Sequence, residues 1–268
     1  MSRRTNIFVL ALLSATPAGA HPEIQDALDR LTTALAATPN EASLYLERGE
    51  LYARHEDWPA AEANYLRAAE LAPRLPRLAL ARGSLALARG QVSAARAFLD
   101  QAIALAPSDP TALILRARAL ARLGLTPDAL TDYTQAFALL ATPSPELYLE
   151  RAALFASPAD ALRSLADAFV RLGPVISLQL RALDLEVALR RFDDALTRVD
   201  LLTSVSERRE LWLKRRGDIL VSAGRHAEAR AAYVAAQTAI AALPAWLVAS
   251  PDTVRLSTEL TRLATTTP

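Results

Sequence analysis

The chain has 268 residues, 30 of them Lys or Arg against 29 Asp or Glu, and no cysteine. A near-neutral chain without a run of like charge lacks the basic surface of a nucleic-acid or anionic-membrane binder. The absence of cysteine excludes disulfides, Cys-ligated zinc, a thiol nucleophile and a lipid-anchored cysteine. Apolar residues make up 52% of the chain and aromatic residues only 6%. Ala and Leu supply most of that apolar mass, and both favour helices over sheets.

Residues 1–20 read as a targeting signal: Arg3 and Arg4, an apolar stretch over 7–13, then Ala18-Gly19-Ala20. A basic start, a short apolar core and an A-x-A site predict export to the periplasm or beyond, with cleavage after Ala20. The apolar stretch is too short to cross a bilayer, which takes about 20 residues. No later segment reads as a membrane span, so the mature chain is expected to be soluble. Its first residue would be His21, followed by a lone N-terminal capping helix within 21–41.

Three regular units occupy 42–143. Gly49, Ala61, Tyr65, Ala68 and Pro73 recur 34 residues on as Gly83, Ala95, Leu99, Ala102 and Pro107. They recur again as Ala117, Ala129, Tyr133 and Ala136, and from Gly217 as Ala229, Tyr233 and Ala236. Gly90, Gly124 and Gly224 share a second position, the turn between two helices, where a left-handed backbone suits glycine. Prolines near 73–76, 107–110 and 143–145 separate the units. Within 144–209 the sequence predicts two degenerate units. In the first, Ala161, Leu165 and Ala168 arrive three residues early. The second stands one residue out of register and lacks its glycine. A regular unit occupies 210–244. A capping helix with a frayed tail over 265–268 is expected within 245–268.

This pattern resembles the tetratricopeptide repeat: a small residue, an alanine twelve on, a large residue four later, a second alanine and a closing proline. The resemblance implies an all-α, right-handed α-solenoid of antiparallel helix pairs. It also implies partner binding along a concave groove lined by the first (A) helix of each pair. Carried onto this chain, the groove positions are Leu46, Glu50 and Ala53, then Leu80, Ser84 and Leu87, then Ile114, Arg118 and Ala121. Leu149 and Ala153 continue the series, followed by Lys214, Asp218 and Val221. Leu80, Leu87 and Ile114 make an apolar stretch, which favours an apolar or amphipathic protein segment as ligand. A homodimer that buries the patch is the alternative.

Chemistry-bearing residues are few. His21, His55 and His226 are the only histidines, and the last two fall in inter-helix turns. If His21 becomes the N-terminus, its amine and imidazole form a candidate Cu(II) chelate, which gives copper handling as a second functional reading. There is no phosphate loop and no His-Glu-x-x-His, so neither an enzyme nor a cofactor is expected. A non-catalytic subunit of an envelope enzyme is the third reading. Arg48, Arg82, Arg116, Arg151 and Arg216 share one repeat position. They form either a guanidinium ladder for partner carboxylates or, the favoured reading, local packing beside the inter-helix small residue.

Overall fold

The computed structural model describes residues 22–267. The targeting segment and His21 lie outside the described residues. Fifteen helices and no strand occur among the described residues. The chain divides into two compact units, Met1–Leu125 and Thr126–Pro268. The first holds α1 (Pro22–Ala37), α2 (Ala42–Arg54), α3 (Trp58–Leu71), α4 (Pro76–Ala88), α5 (Val92–Leu105) and α6 (Pro110–Arg122). The second begins with α7 (Thr126–Leu139), α8 (Pro145–Ala153), α9 (Pro158–Leu172), α10 (Ile176–Ala188) and α11 (Phe192–Val205). It ends with α12 (Arg209–Ser222), α13 (His226–Ala241), α14 (Ala245–Val248) and α15 (Pro251–Thr266).

Local chemistry sets the helix ends. Pro76, Pro110, Pro145, Pro158 and Pro251 each open a helix, where the missing N–H costs nothing. The Asp57 carboxylate accepts from Ala60 N at 3.1 Å and that of Asp109 from Thr111 N at 2.8 Å. Each cap satisfies a free amide of the first turn. The turn between paired helices takes a left-handed residue at a constant place: φ is 73° at Gly90, 76° at Gly124 and 77° at Gly224. The same place holds Glu56 at 60° and Arg190 at 56°, where a side chain makes the conformation strained.

Packing inside the pairs depends on exchanged volume. A Cβ built on Gly49 would lie 2.6 Å from the Tyr65 ring, and one on Gly83 2.6 Å from Leu99 Cγ. One on Gly217 would come closer still, 2.3 Å from the Tyr233 ring. The small residue on the A helix is therefore the space that the large residue on the B helix fills. Tyr65, Leu99 and Tyr233 are each at most 2% exposed, and full burial of such a side chain is worth about 2 kcal/mol. Ala61, Ala95 and Ala229, all 0% exposed, allow the return approach from the B helix.

The α10–α11 pair corrects the reading of a one-residue slip. α10 ends at Ala188 and α12 at Ser222, while α11 starts at Phe192 and α13 at His226. Both offsets equal the repeat length. Leu183 thus holds the small-residue place and Val199 the large one, and both sit in one core cluster with Ala195 and Leu202. A large-for-small exchange across the interface conserves volume, which cores tolerate, and it hid the register from the sequence pattern. The irregularity lies earlier, in α8, which has 9 residues where α2, α4 and α6 have 13.

The tail also differs from expectation. Thr265 and Thr266 continue α15, and the carbonyl of Thr267, a residue 8% exposed, accepts from Arg230 Nη1 at 3.1 Å. That bond holds the end of the helix against α13. No described helix is long and apolar enough to cross a membrane.

Candidate functional site: the A-helix faces

In the first unit the A helices α2, α4 and α6 enclose a hollow of about 570 Å³. Its floor is apolar, with Leu80, Leu85 and Leu115 beside Trp58 of α3. Small residues, Ala53, Ser84 and Ala88, keep it open. One wall is charged. Arg77 donates from Nε to Glu50 Oε1 at 3.0 Å and from Nη2 to Oε2 at 2.6 Å, a two-pronged pair between α4 and α2. Such forked pairs fix orientation as well as charge. Beneath it, burial and then the Glu50 charge push the Tyr65 phenol above its ordinary range.

The structure sorts the expected groove residues. Glu50, Leu80 and Ser84 line the hollow, together with Ala53. Leu46 does not: at 1% exposed it belongs to the core with Tyr65 and Leu78. The helix turns it inward, into the cluster that also holds Leu78 of the following A helix. Leu87 is half-buried against the Ala86 and Leu99 cluster and is absent from the lining. Ile114 and Arg118 are half-buried on α6, and neither reaches the lining. In the second unit Leu149 is half-buried and Ala153 exposed.

Lys214 and Asp218 have a different fate. Lys214 Nζ lies 3.1 Å from Asp218 Oδ2 and 3.2 Å from Glu259 Oε1 of α15. Asp218 also accepts from the Tyr233 hydroxyl at 3.0 Å. The chain's own C-terminal helix supplies the partner that these groove positions were expected to offer to another protein. Burial opposes the Lys214 charge, but the hydrogen bonds and charges of Asp218 and Glu259 outweigh it and raise its pKa.

The arginine row is internal. Arg48 Nε donates to Asn64 Oδ1 at 2.9 Å and Nη1 to Thr32 Oγ1 at 3.2 Å. Arg116 Nη1 meets Asp100 at 2.8 Å, and Arg216 pairs with Asp200. The contacts to Thr32, Asp100 and Asp200 each reach back sixteen residues onto the preceding B helix. Arg82 stacks on Phe98 at 4.1 Å. Local stitching accounts for the recurrence of arginine at this position. No cluster of three or more His, Asp or Glu able to hold a metal occurs among the described residues. His55 caps the end of α2 and His226 opens α13.

Sequence reasoning missed Trp58, Arg77 and Leu115. Arg77 follows Glu50 at a distance no local pattern marks, and Leu115 is the immediate neighbour of Ile114, the position that the repeat singles out.

The tetratricopeptide repeat profile matches residues 18–76 and 80–143, and the tetratricopeptide repeat-like domain profile matches 155–248. The chain belongs to the tetratricopeptide-repeat family. It is similar to a crystal structure of a tetratricopeptide repeat protein from Parabacteroides merdae, at 17% identity and a TM-score of 0.54, covering 91% of this chain and 93% of that one. A crystal structure of MamA is similar over 56% of this chain and 88% of its own, at 17% identity and a TM-score of 0.50. At such identities the likeness is one of fold. Comparison with curated proteins yields no match. Proteins of this family act in general as non-catalytic protein-interaction modules.

Proposed function

We propose that this tetratricopeptide protein is an extracytoplasmic scaffold or assembly factor that holds an apolar or amphipathic segment of another protein in the hollow of its first unit. The observation that carries this reading is the hollow itself, walled by three successive A helices, apolar at its floor and charged on one side. A helical or extended segment would bury apolar side chains against Leu80, Leu115 and Trp58. The Arg77 and Glu50 pair would orient its polar edge. Support for a location outside the cytoplasm comes from Arg3, Arg4, the apolar stretch and Ala18-Gly19-Ala20.

The test is selection of displayed peptides on the purified protein, followed by calorimetric titration of the peptides recovered. Ser84 and Ala88 are exposed, so Ser84→Arg with Ala88→Glu should fill the hollow without unfolding the array. Selected peptides are expected to carry apolar residues at helical spacing and to lose binding to this variant. Equal binding to both proteins would move the site elsewhere. N-terminal sequencing of protein from an envelope fraction tests the location; a chain that keeps Met1 in the cytoplasm would overturn it.

A further inference from the structure

A second pocket, of about 310 Å³, lies between α7, α8 and α9 in the second unit. It is lined by Leu130, Thr134, Arg151, Phe155 and Ser164, with Asp160 and Arg163 at its edge. It involves none of the groove positions expected from the sequence.

Arg151, like Arg48 and Arg82, pairs with no carboxylate, and it alone of the arginine row keeps a buried nitrogen without a partner. Arg116 and Arg216 each meet a carboxylate on the preceding B helix, Asp100 and Asp200. Thr134 stands one repeat after Asp100, so a hydroxyl replaces the carboxylate there, and it already donates its proton to Leu130 O at 2.8 Å. Arg151 keeps one hydrogen bond, from Nη2 to Ser164 O at 2.6 Å. Its guanidinium lies over Phe137 at 4.6 Å and Tyr148 at 5.5 Å, while Nε is buried with no partner. Burial pushes its pKa down, against the opposing charge of Asp167 and the ionised form of Tyr148 and with that of Arg171. A guanidinium remains charged under all ordinary conditions, and without a paired carboxylate it is left short of acceptors. At the edge of the pocket Arg163 and Asp160 pair at 2.9 Å and cancel. The pocket therefore carries a guanidinium that feels the Asp167 charge but contacts no carboxylate directly, beside two apolar surfaces, Leu130 and Phe155.

We propose that this pocket binds a carboxylate borne on an apolar body, the ligand taking the place that Asp100 and Asp200 hold in other repeats. The carboxylate would accept from Arg151, and the apolar body would rest on Leu130 and Phe155. Two sources share this chemistry: a small branched-chain carboxylic acid, and the C-terminal carboxylate of a protein chain ending in an apolar residue.

The test uses isotope-labelled protein titrated with isovalerate, with a short peptide ending in a free leucine carboxylate, and with the same peptide amidated. Saturable shifts at the Arg151 side chain are expected with one or both acids and none with the amide. Tighter binding of isovalerate assigns the small-molecule source, and tighter binding of the peptide acid assigns the chain terminus. Arg151→Gln should weaken binding roughly tenfold or more, as expected for loss of a charged hydrogen bond. Should that variant fail to fold, Thr134→Asp decides the matter, because Thr134 is exposed and the new carboxylate would occupy Arg151. A folded Thr134→Asp protein is expected to lose the acid. Binding of amide and acid alike, acid binding unchanged in Thr134→Asp, or no saturable shift with either acid would overturn the proposal.

Discussion

Two A helices with the same repeat positions have opposite fates. On α2, Glu50 faces an open hollow and pairs with Arg77 of the next A helix. On α12, Asp218 at the equivalent place is tied to Lys214, and Lys214 to Glu259 of α15. The difference lies in the helix that packs next along the chain. α4 belongs to a regular pair and leaves space beside small residues, whereas α15 is a longer terminal helix that docks on α13 and reaches the α12 charges. A groove position is thus available to a partner only where the chain does not cover it. The core shows the same contrast: glycine against a large residue (Tyr65, Leu99 or Tyr233) in regular pairs, Leu183 and Val199 in the α10–α11 pair.

The largest effect should come from the polar anchor of that exceptional pair. Arg198 donates to both Glu186 oxygens and to Gln179, and the Glu186 side chain is 5% exposed. Arg198→Met would strand a buried carboxylate and cost about 3 kcal/mol, read by denaturant unfolding. A loss near zero would mean that α10–α11 is held by apolar packing alone.

Next, Gly49→Ala and Gly217→Ala press a Cβ into a tyrosine ring and should each cost about 2 kcal/mol despite the better helix propensity of alanine. Leu183→Ala should cost a similar amount for the reverse reason, a cavity. If the glycine variants are neutral while Leu183→Ala is not, the regular pairs are more plastic than the exchanged one.

A smaller effect tests the covered groove. Lys214 is the only lysine, so acylation by an amine-reactive reagent reports on it and the chain's N-terminal amine alone. Glu259→Gln should raise its modification rate about threefold, the scale of a partly exposed ion pair. Because folding raises the Lys214 pKa, the pair's contribution is complete below the ordinary lysine pKa of about 10.4 and disappears as pH rises through the folded value. The stability difference between Glu259→Gln and the parent should therefore vanish in strongly alkaline solution.

The smallest effects are gains. Glu56→Gly and Arg190→Gly relieve a left-handed side chain at the turn place, and each should add roughly 0.5 kcal/mol, the strain relief less the added unfolded-state entropy of glycine. Gly90→Ala at the same place should lose about 1 kcal/mol. Thermal melts of the three proteins measure both signs.

The helices, the 34-residue period, the turn glycines and the small residues at Gly49, Gly83 and Gly217 were all legible in the residues alone. Each is enforced locally, by backbone conformation or by a regular spacing on one helix face. Glu50, Leu80 and Ser84 could be read as hollow-facing residues for the same reason. Packing in three dimensions was needed to show that Leu46 turns into the core, that Leu183 and Val199 exchange volume, that α15 ties up Lys214, and that Arg151 lacks the carboxylate that Arg116 and Arg216 keep. These depend on which helix lies next to which and how much room it leaves, and neither quantity is written in the spacing of one chain segment.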